Sequence, residues 1–318
     1  LIAAEKKKYK FRYATSLPAN GWGAVQSIKP WLKQIEEVTD GQVTFTPYWS
    51  SSLMKSRGMW EGLKTGIVDI ADVSFHYWPG LVDFHNVISL AFLEYQSAEH
   101  ESIVAWKLYE KFPEIQKEYN DNVPLLFYAS TPFFFISNDK QILSREDFKG
   151  LKIRVAGGES LRFMVESGGG IPTSVGASEI YSALEKNVID ASVANWDMLQ
   201  IFRLYEVAKY YFYGPFNAGA RGVVMSHQAW DRLTPDLQAK IQSVSGLKGS
   251  KFWARTSMDE SVIGGKAKVK KGGYTMVDTT LSAEEVAEWK AKYGDKIWNI
   301  WRKSVIEKAK EEGYPNPE

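Results

Sequence analysis

Residues 63–71 read LKTGIVDIA, and residues 184–192 read LEKNVIDAS. In both stretches the end of a predicted helix meets Gly66 or Asn187, the two residue types that best adopt the left-handed backbone after a helix. A short run rich in β-branched residues follows at once and carries Asp69 or Asp190. The pattern predicts the same helix-to-strand junction twice, and therefore a similar folding unit in each half of the chain.

The sequence around each junction continues the same pattern. Apolar and polar residues alternate over residues 9–14, a run with a helical apolar face follows, and residues 43–48 form the next strand-like segment. Upstream of the second junction, GIPT at residues 170–173 parallels GQVT at residues 41–44. Alternation of strands and helices is typical of a mostly parallel sheet with flanking helices. The sequence therefore predicts an α/β fold of two similar lobes, with a ligand cleft between them.

The chain passes between the predicted lobes at strand-like segments. Near residues 131 and 218 there is no Pro-rich or low-complexity run that would indicate a flexible linker. We expect lobe I to comprise residues 1–131 plus 219–258, and lobe II to comprise residues 132–218 plus 259–318.

The composition of the 318 residues excludes several classes of function. Lys and Arg total 39 against 38 for Asp and Glu, a net charge of +1, which gives no electrostatic reason to expect a nucleic-acid partner. Cysteine is absent, and the four histidines do not have metal-binding spacing. We predict no metal site and no cofactor. Aromatic residues reach 14%, which favours a function that uses flat apolar side chains.

Motifs of the common enzyme classes are missing from the sequence. Gly157-Gly158 and Gly168–Gly170 lack the spacing of a dinucleotide- or phosphate-binding loop, so we interpret them as turns. His76, at the end of a predicted strand, is the one candidate general base. We therefore predict that the protein is not an enzyme.

The N-terminal residues indicate export. Leu1-Ile2-Ala3-Ala4 and the lysine-rich run at residues 5–8 are typical of a chain just after signal-peptide cleavage, the alternative being a frayed end. The apolar runs are too short to span a bilayer. We expect a periplasmic protein that does not insert into the membrane.

One arginine stands out inside an apolar strand-like segment. Residues 148–155 read FKGLKIRV, so that Ile153 and Val155 share one face of the strand and Arg154 points to the other. A guanidinium in this position needs an anion, a set of carbonyl groups or open solvent.

At this segment the chain resembles a known family. Residues 148–155 are similar to the DLKGLKIRV signature of solute-binding proteins from TRAP (tripartite ATP-independent periplasmic) transporters. SEIYSAL at residues 178–184, with VID at 188–190, resembles the family's SEVYTALQ and VDG block. YEVAKY at residues 205–210 is similar to FYEVQKY, and PYWSSSL at residues 47–53 lies where the family has YPSSQLG.

The resemblance implies a fold, a partner and a ligand. It implies a periplasmic binding protein of the two-lobed, type II-like architecture, whose lobes close over an organic anion and deliver it to the membrane permease subunits of the transporter. It also implies that Arg154 binds the carboxylate of this small organic acid as a two-pronged clamp.

The chain departs from the family pattern at several positions. Phe133 stands where many members have a second arginine, Asn195 lies one place after the usual asparagine, and Ala177 replaces a large aromatic residue. Loss of a cation and gain of space favour a bulky aromatic monocarboxylate, with a phenyl or indole group, as the ligand. The aromatic residues expected to contact it are Phe75, Tyr77, Trp78 and Trp196.

Several alternatives remain open at this point. The aromatic residues fit the interiors of the lobes as well as a binding site. Arg221 is either a second anion contact or a surface residue. The ligand is alternatively an aliphatic organic acid, and the partner an ATP-driven importer or a sensor kinase. An enzyme that acts on an aromatic acid, with His76 as the base, is a further alternative.

Overall fold

The computed structural model describes residues 7–78, 80–155, 159–176, 179–216 and 218–315. The predicted signal-peptide remnant at residues 1–4 and the glycine pair at 157–158 lie outside these residues. The chain divides into two compact units. Lobe I consists of Leu1–His85, Ser97–Ala129 and Ala220–Ser257, and lobe II of Asn86–Gln96, Ser130–Gly219 and Met258–Glu318.

Strands and helices alternate along most of the chain. The strands are β1 (Tyr9–Ala14), β2 (Val43–Tyr48), β3 (Ile70–Ser74), β4 (Asn122–Ala129), β5 (Phe134–Ser137), β6 (Lys152–Arg154), β7 (Ile171–Thr173), β8 (Ala191–Ala194), β9 (Tyr210–Tyr213), β10 (Ala220–Ser226) and β11 (Val277–Thr280). The helices are α1 (Lys29–Val38), α2 (Met59–Lys64), α3 (Ala98–Lys111), α4 (Pro113–Lys117), α5 (Glu159–Ser167), α6 (Ile180–Glu185), α7 (Trp196–Ile201), α8 (His227–Trp230), α9 (Pro235–Ser243), α10 (Gly246–Trp253), α11 (Glu260–Lys271), α12 (Ala283–Trp289) and α13 (Asp295–Glu311).

Each lobe contains one mixed sheet in which a single described strand runs against the others. The strand order in lobe I is β2-β1-β3-β10-β4, and β10 is antiparallel to both of its neighbours. The order in lobe II is β11-β9-β5-β8-β6-β7, where β5 is antiparallel to β8 and β9. The predicted α/β fold with mostly parallel sheets and flanking helices is confirmed.

The predicted repeat corresponds to one βαβαβ unit in each lobe. In lobe I the unit is β1-α1-β2-α2-β3, with β1 between β2 and β3; in lobe II it is β6-α5-β7-α6-β8, with β6 between β7 and β8. Gly66 and Asn187 both have the expected left-handed backbone, with φ of +71° and +53°. The local sequence therefore specifies the helix-to-strand junction in the same way in both lobes.

In each repeated unit, the aspartate of the junction forms a hydrogen bond with the backbone of the central strand. A carboxylate oxygen of Asp69 accepts a hydrogen bond from the backbone N–H of Arg12 at 2.7 Å, and a carboxylate oxygen of Asp190 accepts one from Lys152 at 2.8 Å. Asp69 also forms an ion pair with the Arg12 side chain at 2.9 Å. These contacts explain both aspartates as structural residues of the repeat.

Residues 86–96 require a correction to the predicted division of the chain. The sequence-based boundaries include them in lobe I, whereas they pack within lobe II. The backbone N–H of Phe92 donates to the carbonyl of Pro215 at 2.9 Å, and the indole of Trp298 donates to the carbonyl of Ala91 at 3.0 Å. Burial of Ala91 and Phe92 in the lobe II core holds the segment there.

A glutamate lies in the interior of lobe I. Glu101 in α3 is fully buried, and within the described residues neither of its carboxyl oxygens has a hydrogen-bond partner. Burial raises the pKa of Glu101 well above its ordinary value because the charged form loses its hydration. The unfolded chain releases this proton near pH 4.5, so the contribution of Glu101 to folding becomes less favourable as the pH rises above that value.

We expect Glu101→Leu to increase the free energy of unfolding at pH 8 by about 1–3 kcal/mol, since it removes a buried polar group that lacks partners. The gain should be smaller at pH 4. Urea denaturation at both pH values measures it, with Glu288→Leu, an exposed position of α12, as the control. An equal or lower stability of the Glu101 variant at pH 8 would contradict this prediction.

Candidate functional site

One edge of the lobe II sheet brings together three residues that the sequence predicts to bind the ligand. Strands β6, β7 and β8 are parallel, so their carboxyl ends lie at the same edge, and the amino end of the antiparallel β5 lies there too. Arg154 ends β6, Asn195 follows β8, and Phe133 precedes β5. Open α/β sheets bind their ligands at this edge of the strands.

Arg154 is held in a fixed orientation at that edge. Its side chain lies on the face opposite to Ile153, which packs in the lobe II core, and the residue is only 5% exposed. The Nε atom donates to the carbonyl of Val175 at 3.1 Å, and Nη1 makes a longer contact of 3.5 Å with the carbonyl of Val193. Backbone acceptors on two neighbouring segments therefore orient the guanidinium plane.

Asn195 and Trp196 have structural contacts within lobe II. The Asn195 side chain caps α7 by accepting a hydrogen bond from the backbone N–H of Met198 at 2.9 Å. Trp196 is 3% exposed, and its ring stacks on Tyr211 at a centroid distance of 6.2 Å and lies 5.9 Å from Phe134. Trp196 thus packs among the core residues of lobe II, and its contact with the ligand stays a prediction.

The aromatic run after β3 divides between core and surface. Phe75 packs in the lobe I core against His85 and Phe127, with ring centroids 5.5 and 6.0 Å away. Trp78 is buried and donates to the carbonyl of Arg57 at 3.1 Å. Residues Phe75–Tyr77 form a 3₁₀ turn, in which successive side chains point about 120° apart. Phe75 and Trp78 are therefore buried within lobe I, and their contacts with the ligand stay predictions.

Two of the predicted aromatic contacts keep exposed surface. Tyr77 is half-buried, with the Arg57 guanidinium 5.3 Å from the centre of its ring. Phe133 is also half-buried and packs against the lobe II core at the amino end of β5. Ala177, predicted to open space beside the ligand, lies outside the described residues.

Arg221 forms part of a buried polar network in lobe I. Its Nη2 atom lies 2.9 Å from a carboxylate oxygen of Asp72, and its Nε atom donates to the hydroxyl of Tyr128 at 2.7 Å. Sequence reasoning missed Asp72 and Tyr128. A charged residue within the otherwise apolar run IADV at residues 70–73 is the signal that could have identified Asp72.

The helices of the described ranges include none that is both long and apolar enough to cross a bilayer.

The carboxyl edge of the lobe II sheet carries the oriented guanidinium of Arg154 and the half-buried phenyl ring of Phe133. A guanidinium fork is geometrically suited to a carboxylate, and a phenyl ring is suited to apolar or aromatic groups.

Comparison with known proteins identifies the family. Residues 18–304 match the family model described as bacterial extracellular solute-binding protein, family 7 (DctP). The match covers most of the chain, including the whole βαβαβ unit of lobe II and the lobe I unit from α1 to β3.

Solved structures with the same fold include TRAP solute-binding proteins. One from a marine metagenome, described as specific for aromatic acid ligands and in complex with 3-hydroxybenzoate, has a TM-score of 0.85 and 22% identity over 95% of this chain and 93% of that one. One from Bordetella bronchiseptica with bound (R)- and (S)-mandelate has a TM-score of 0.82 and 23% identity over 94% of each chain.

A third structure shows the range of ligands within this fold. The TRAP protein from Sulfitobacter sp. NAS-14.1, with bound β-D-galacturonate, has a TM-score of 0.77 and 20% identity over 95% of this chain and 97% of that one. The family and these neighbours are transport proteins that bind solutes. On the evidence of the family model, the chain belongs to family 7 (DctP) of the bacterial extracellular solute-binding proteins.

Proposed function

We propose that the protein is a periplasmic receptor that binds a bulky aromatic monocarboxylate and delivers it, chemically unchanged, to the membrane permease subunits of a TRAP transporter. The observation that carries the proposal is the oriented guanidinium of Arg154 at the carboxyl edge of the lobe II sheet. Membership of the solute-binding family supplies the transport role.

Arg154 would bind the solute by its carboxylate. Guanidinium and carboxylate groups match in shape, and each charge-assisted hydrogen bond contributes about 1.5–3 kcal/mol. The bond to the Val175 carbonyl limits rotation of the side chain, so little conformational entropy remains to be lost when the solute binds. A fixed carboxylate would also fix the direction of the rest of the solute.

Phe133 supports an aromatic rather than a doubly charged solute. The resemblance to the family places many members' second arginine at this position, and here a half-exposed phenyl ring takes its place. A ring-to-ring contact contributes about 0.5–1.5 kcal/mol beyond the burial of apolar area. The TRAP proteins with bound 3-hydroxybenzoate and mandelate are consistent with such a solute.

An aliphatic organic acid is the second candidate. The galacturonate-binding structure shares the fold, which supports this class of solute. The two candidates differ in what the surface around Arg154 must supply, because a sugar acid needs many hydrogen-bond partners and an aromatic acid needs apolar contacts.

A thermal-shift panel tests the proposal. Aromatic acids (benzoate, mandelate, hydroxybenzoates and indole-3-acetate) and aliphatic acids (succinate and galacturonate) are compared at equal concentration. A solute at one hundred times its Kd stabilises the fold by about 2.7 kcal/mol, which raises the Tm by several degrees. Stabilisation by an aromatic acid supports the proposal, and stabilisation by the aliphatic acids alone contradicts it.

We expect Phe133→Arg to change the preference of the protein from aromatic monocarboxylates toward dicarboxylates. The variant places a cation where the family resemblance has a second arginine, and it removes an aromatic surface. Relative affinities for benzoate and succinate, measured by calorimetry, report the change, with Phe133→Leu as the control that removes the ring without adding charge. An unchanged rank order of ligands would show that Phe133 does not contact the solute.

A further inference from the structure

The peptide group between Val175 and Gly176 lies between two charged side chains of lobe II. Its carbonyl oxygen accepts a hydrogen bond from Nε of Arg154 at 3.1 Å, and its N–H donates to Oε2 of Glu179 at 3.1 Å. Arg154 is buried, whereas Glu179 is exposed. A single peptide group therefore connects an exposed carboxylate to the buried guanidinium at the carboxyl edge of the sheet.

The planarity of the peptide group couples its two hydrogen bonds. The C–N bond has partial double-bond character, and in the trans form found here the C=O and N–H bonds point in opposite directions. Fixing the direction of the Gly176 N–H therefore also fixes the direction of the Val175 carbonyl. Hydrogen bonds in such a chain polarise one another, so the contact with a carboxylate also makes this carbonyl a stronger acceptor for Arg154.

The backbone on both sides of this peptide group is also held. Upstream, Thr173 is paired with Arg154 between the parallel strands β7 and β6. Downstream, the backbone N–H of Glu179 donates to the Gly176 carbonyl at 2.9 Å, so Gly176 bonds to Glu179 through the peptide groups on both of its sides. The contact with the Glu179 carboxylate is the one that limits rotation of the peptide plane that Arg154 contacts.

Gly176 leaves room for this carboxylate. A Cβ atom at position 176 would lie 2.9 Å from Oε2 and 3.4 Å from Cδ of Glu179, and the first distance is shorter than a Cβ atom and an oxygen normally approach. The φ angle of Gly176 lies outside the left-handed region, so the backbone itself does not require glycine. An alanine at this position would therefore keep the backbone and displace the Glu179 side chain.

We propose that Glu179 is a positioning residue of the solute site, which orients Arg154 for the carboxylate of the solute through the Val175–Gly176 peptide group. The inference rests on the proposed function, because it requires that Arg154 bind that carboxylate. A guanidinium is planar, so fixing the bond at Nε fixes the plane in which Nη1 and Nη2 lie. A plane that is fixed before the solute arrives reduces the conformational entropy lost on binding.

The sign of the effect separates this role from simple electrostatics. The Glu179 carboxylate would repel an anionic solute, so removing its charge should tighten binding if charge were its whole influence. Loss of orientation at Arg154 should weaken binding instead. A glutamate that accepts from an N–H earlier in the chain can also stabilise the start of a helix. That role alone would change the stability of the fold and not the affinity for the solute.

Calorimetric titration of the full chain, stripped of solute by unfolding and refolding, tests the role at pH 7.5 with benzoate, mandelate and 3-hydroxybenzoate. We expect Glu179→Ala to weaken binding by about three- to tenfold, as the loss of one supporting hydrogen bond allows. Glu179→Gln keeps an oxygen acceptor for the Gly176 N–H and should remain within about twofold of the wild type. Glu185→Ala, at the exposed end of the helix that follows Glu179, is the matched control and should leave the Kd unchanged.

Two further variants test the path through the peptide group. Arg154→Lys lacks the Nε donor, so in that background Glu179→Ala should weaken binding by less than about twofold. Gly176→Ala should weaken binding as much as Glu179→Ala does, and the double variant should lose no more than either single variant, because both changes break the same bond. This pair decides the question if the Arg154→Lys protein binds too weakly to be titrated.

Wild-type affinity or tighter binding in Glu179→Ala would overturn this inference and leave the proposed function intact. The same conclusion would follow from equal losses in Glu179→Gln and Glu179→Ala, from an equal loss in the Arg154→Lys background, or from additive losses in the double variant. Circular dichroism verifies that each variant is folded. Failure of the wild-type protein to bind any of these acids would overturn both the inference and the proposed function.

Discussion

Replacing Arg154 by methionine is expected to weaken the binding of an aromatic monocarboxylate by more than about 100-fold, because both hydrogen bonds of the clamp are lost. Arg154→Lys should weaken it by about 10- to 100-fold. Lysine keeps the positive charge, but a single ammonium group cannot reproduce the two parallel hydrogen bonds of a guanidinium fork. Calorimetry on solute-free protein measures the Kd of each variant.

The control for this prediction lies on the same strand. Lys152 in β6 is exposed, and its backbone N–H, rather than its side chain, bonds to Asp190. Lys152→Met should therefore bind the acid with nearly the wild-type Kd. Circular dichroism verifies that each variant is folded. Affinities within twofold of the wild type in both Arg154 variants would show that Arg154 does not bind the solute.

Acidification from pH 6.5 to pH 4 is expected to reduce the free energy of unfolding by about 3 kcal/mol through one buried histidine. His85 lies in the lobe I core, with Nδ1 at 2.6 Å from the Tyr119 hydroxyl and Nε2 at 2.9 Å from the Ala105 carbonyl. These partners assign the neutral tautomer that carries its proton on Nε2. Burial lowers the pKa of His85 to about 4, although the bond to Ala105 raises it slightly.

The direction of the pH effect follows from the two pKa values. Between pH 6.5 and 4 the unfolded chain binds a proton at His85 and the folded protein does not, so the unfolded state is favoured as the pH falls. The contribution of neutral His85 to the free energy of unfolding is fully present above pH 6.5. Urea denaturation across this range measures the slope for the wild type, His85→Gln and the exposed His100→Gln. Equal slopes in the wild-type and His85→Gln proteins would contradict the prediction.

The sequence predicted the features of the fold that depend on local residue patterns. The left-handed positions of Gly66 and Asn187 follow from the residues that tolerate such a backbone, and they located the repeated unit in both lobes. The strand that carries Arg154 also followed from its apolar neighbours, although this strand ends at Arg154 and does not continue through Val155. The lobe assignment of residues 86–96 did not, because it depends on distant packing against Pro215 and Trp298.

The candidate site was harder to predict because it depends on which side chains the core requires. Phe75, Trp78 and Trp196 are the residue types expected of an aromatic binding surface, and yet all three are buried within their own lobes. The pairing of Arg221 with Asp72 joins residues far apart in the chain, and no local pattern reports it. The alternation of residues along a strand predicts the face of the sheet on which a side chain lies. It does not predict whether that side chain packs in the core or contacts a ligand.

Calorimetric titration of the solute-free wild-type protein with benzoate, the hydroxybenzoates, mandelate, succinate and galacturonate tests most directly whether the proposed solute is an aromatic monocarboxylate. We expect saturable binding of at least one aromatic acid, with a negative heat-capacity change from burial of its ring, and no binding of succinate or galacturonate. Saturable binding of succinate or galacturonate, with no heat from any aromatic acid, would contradict it.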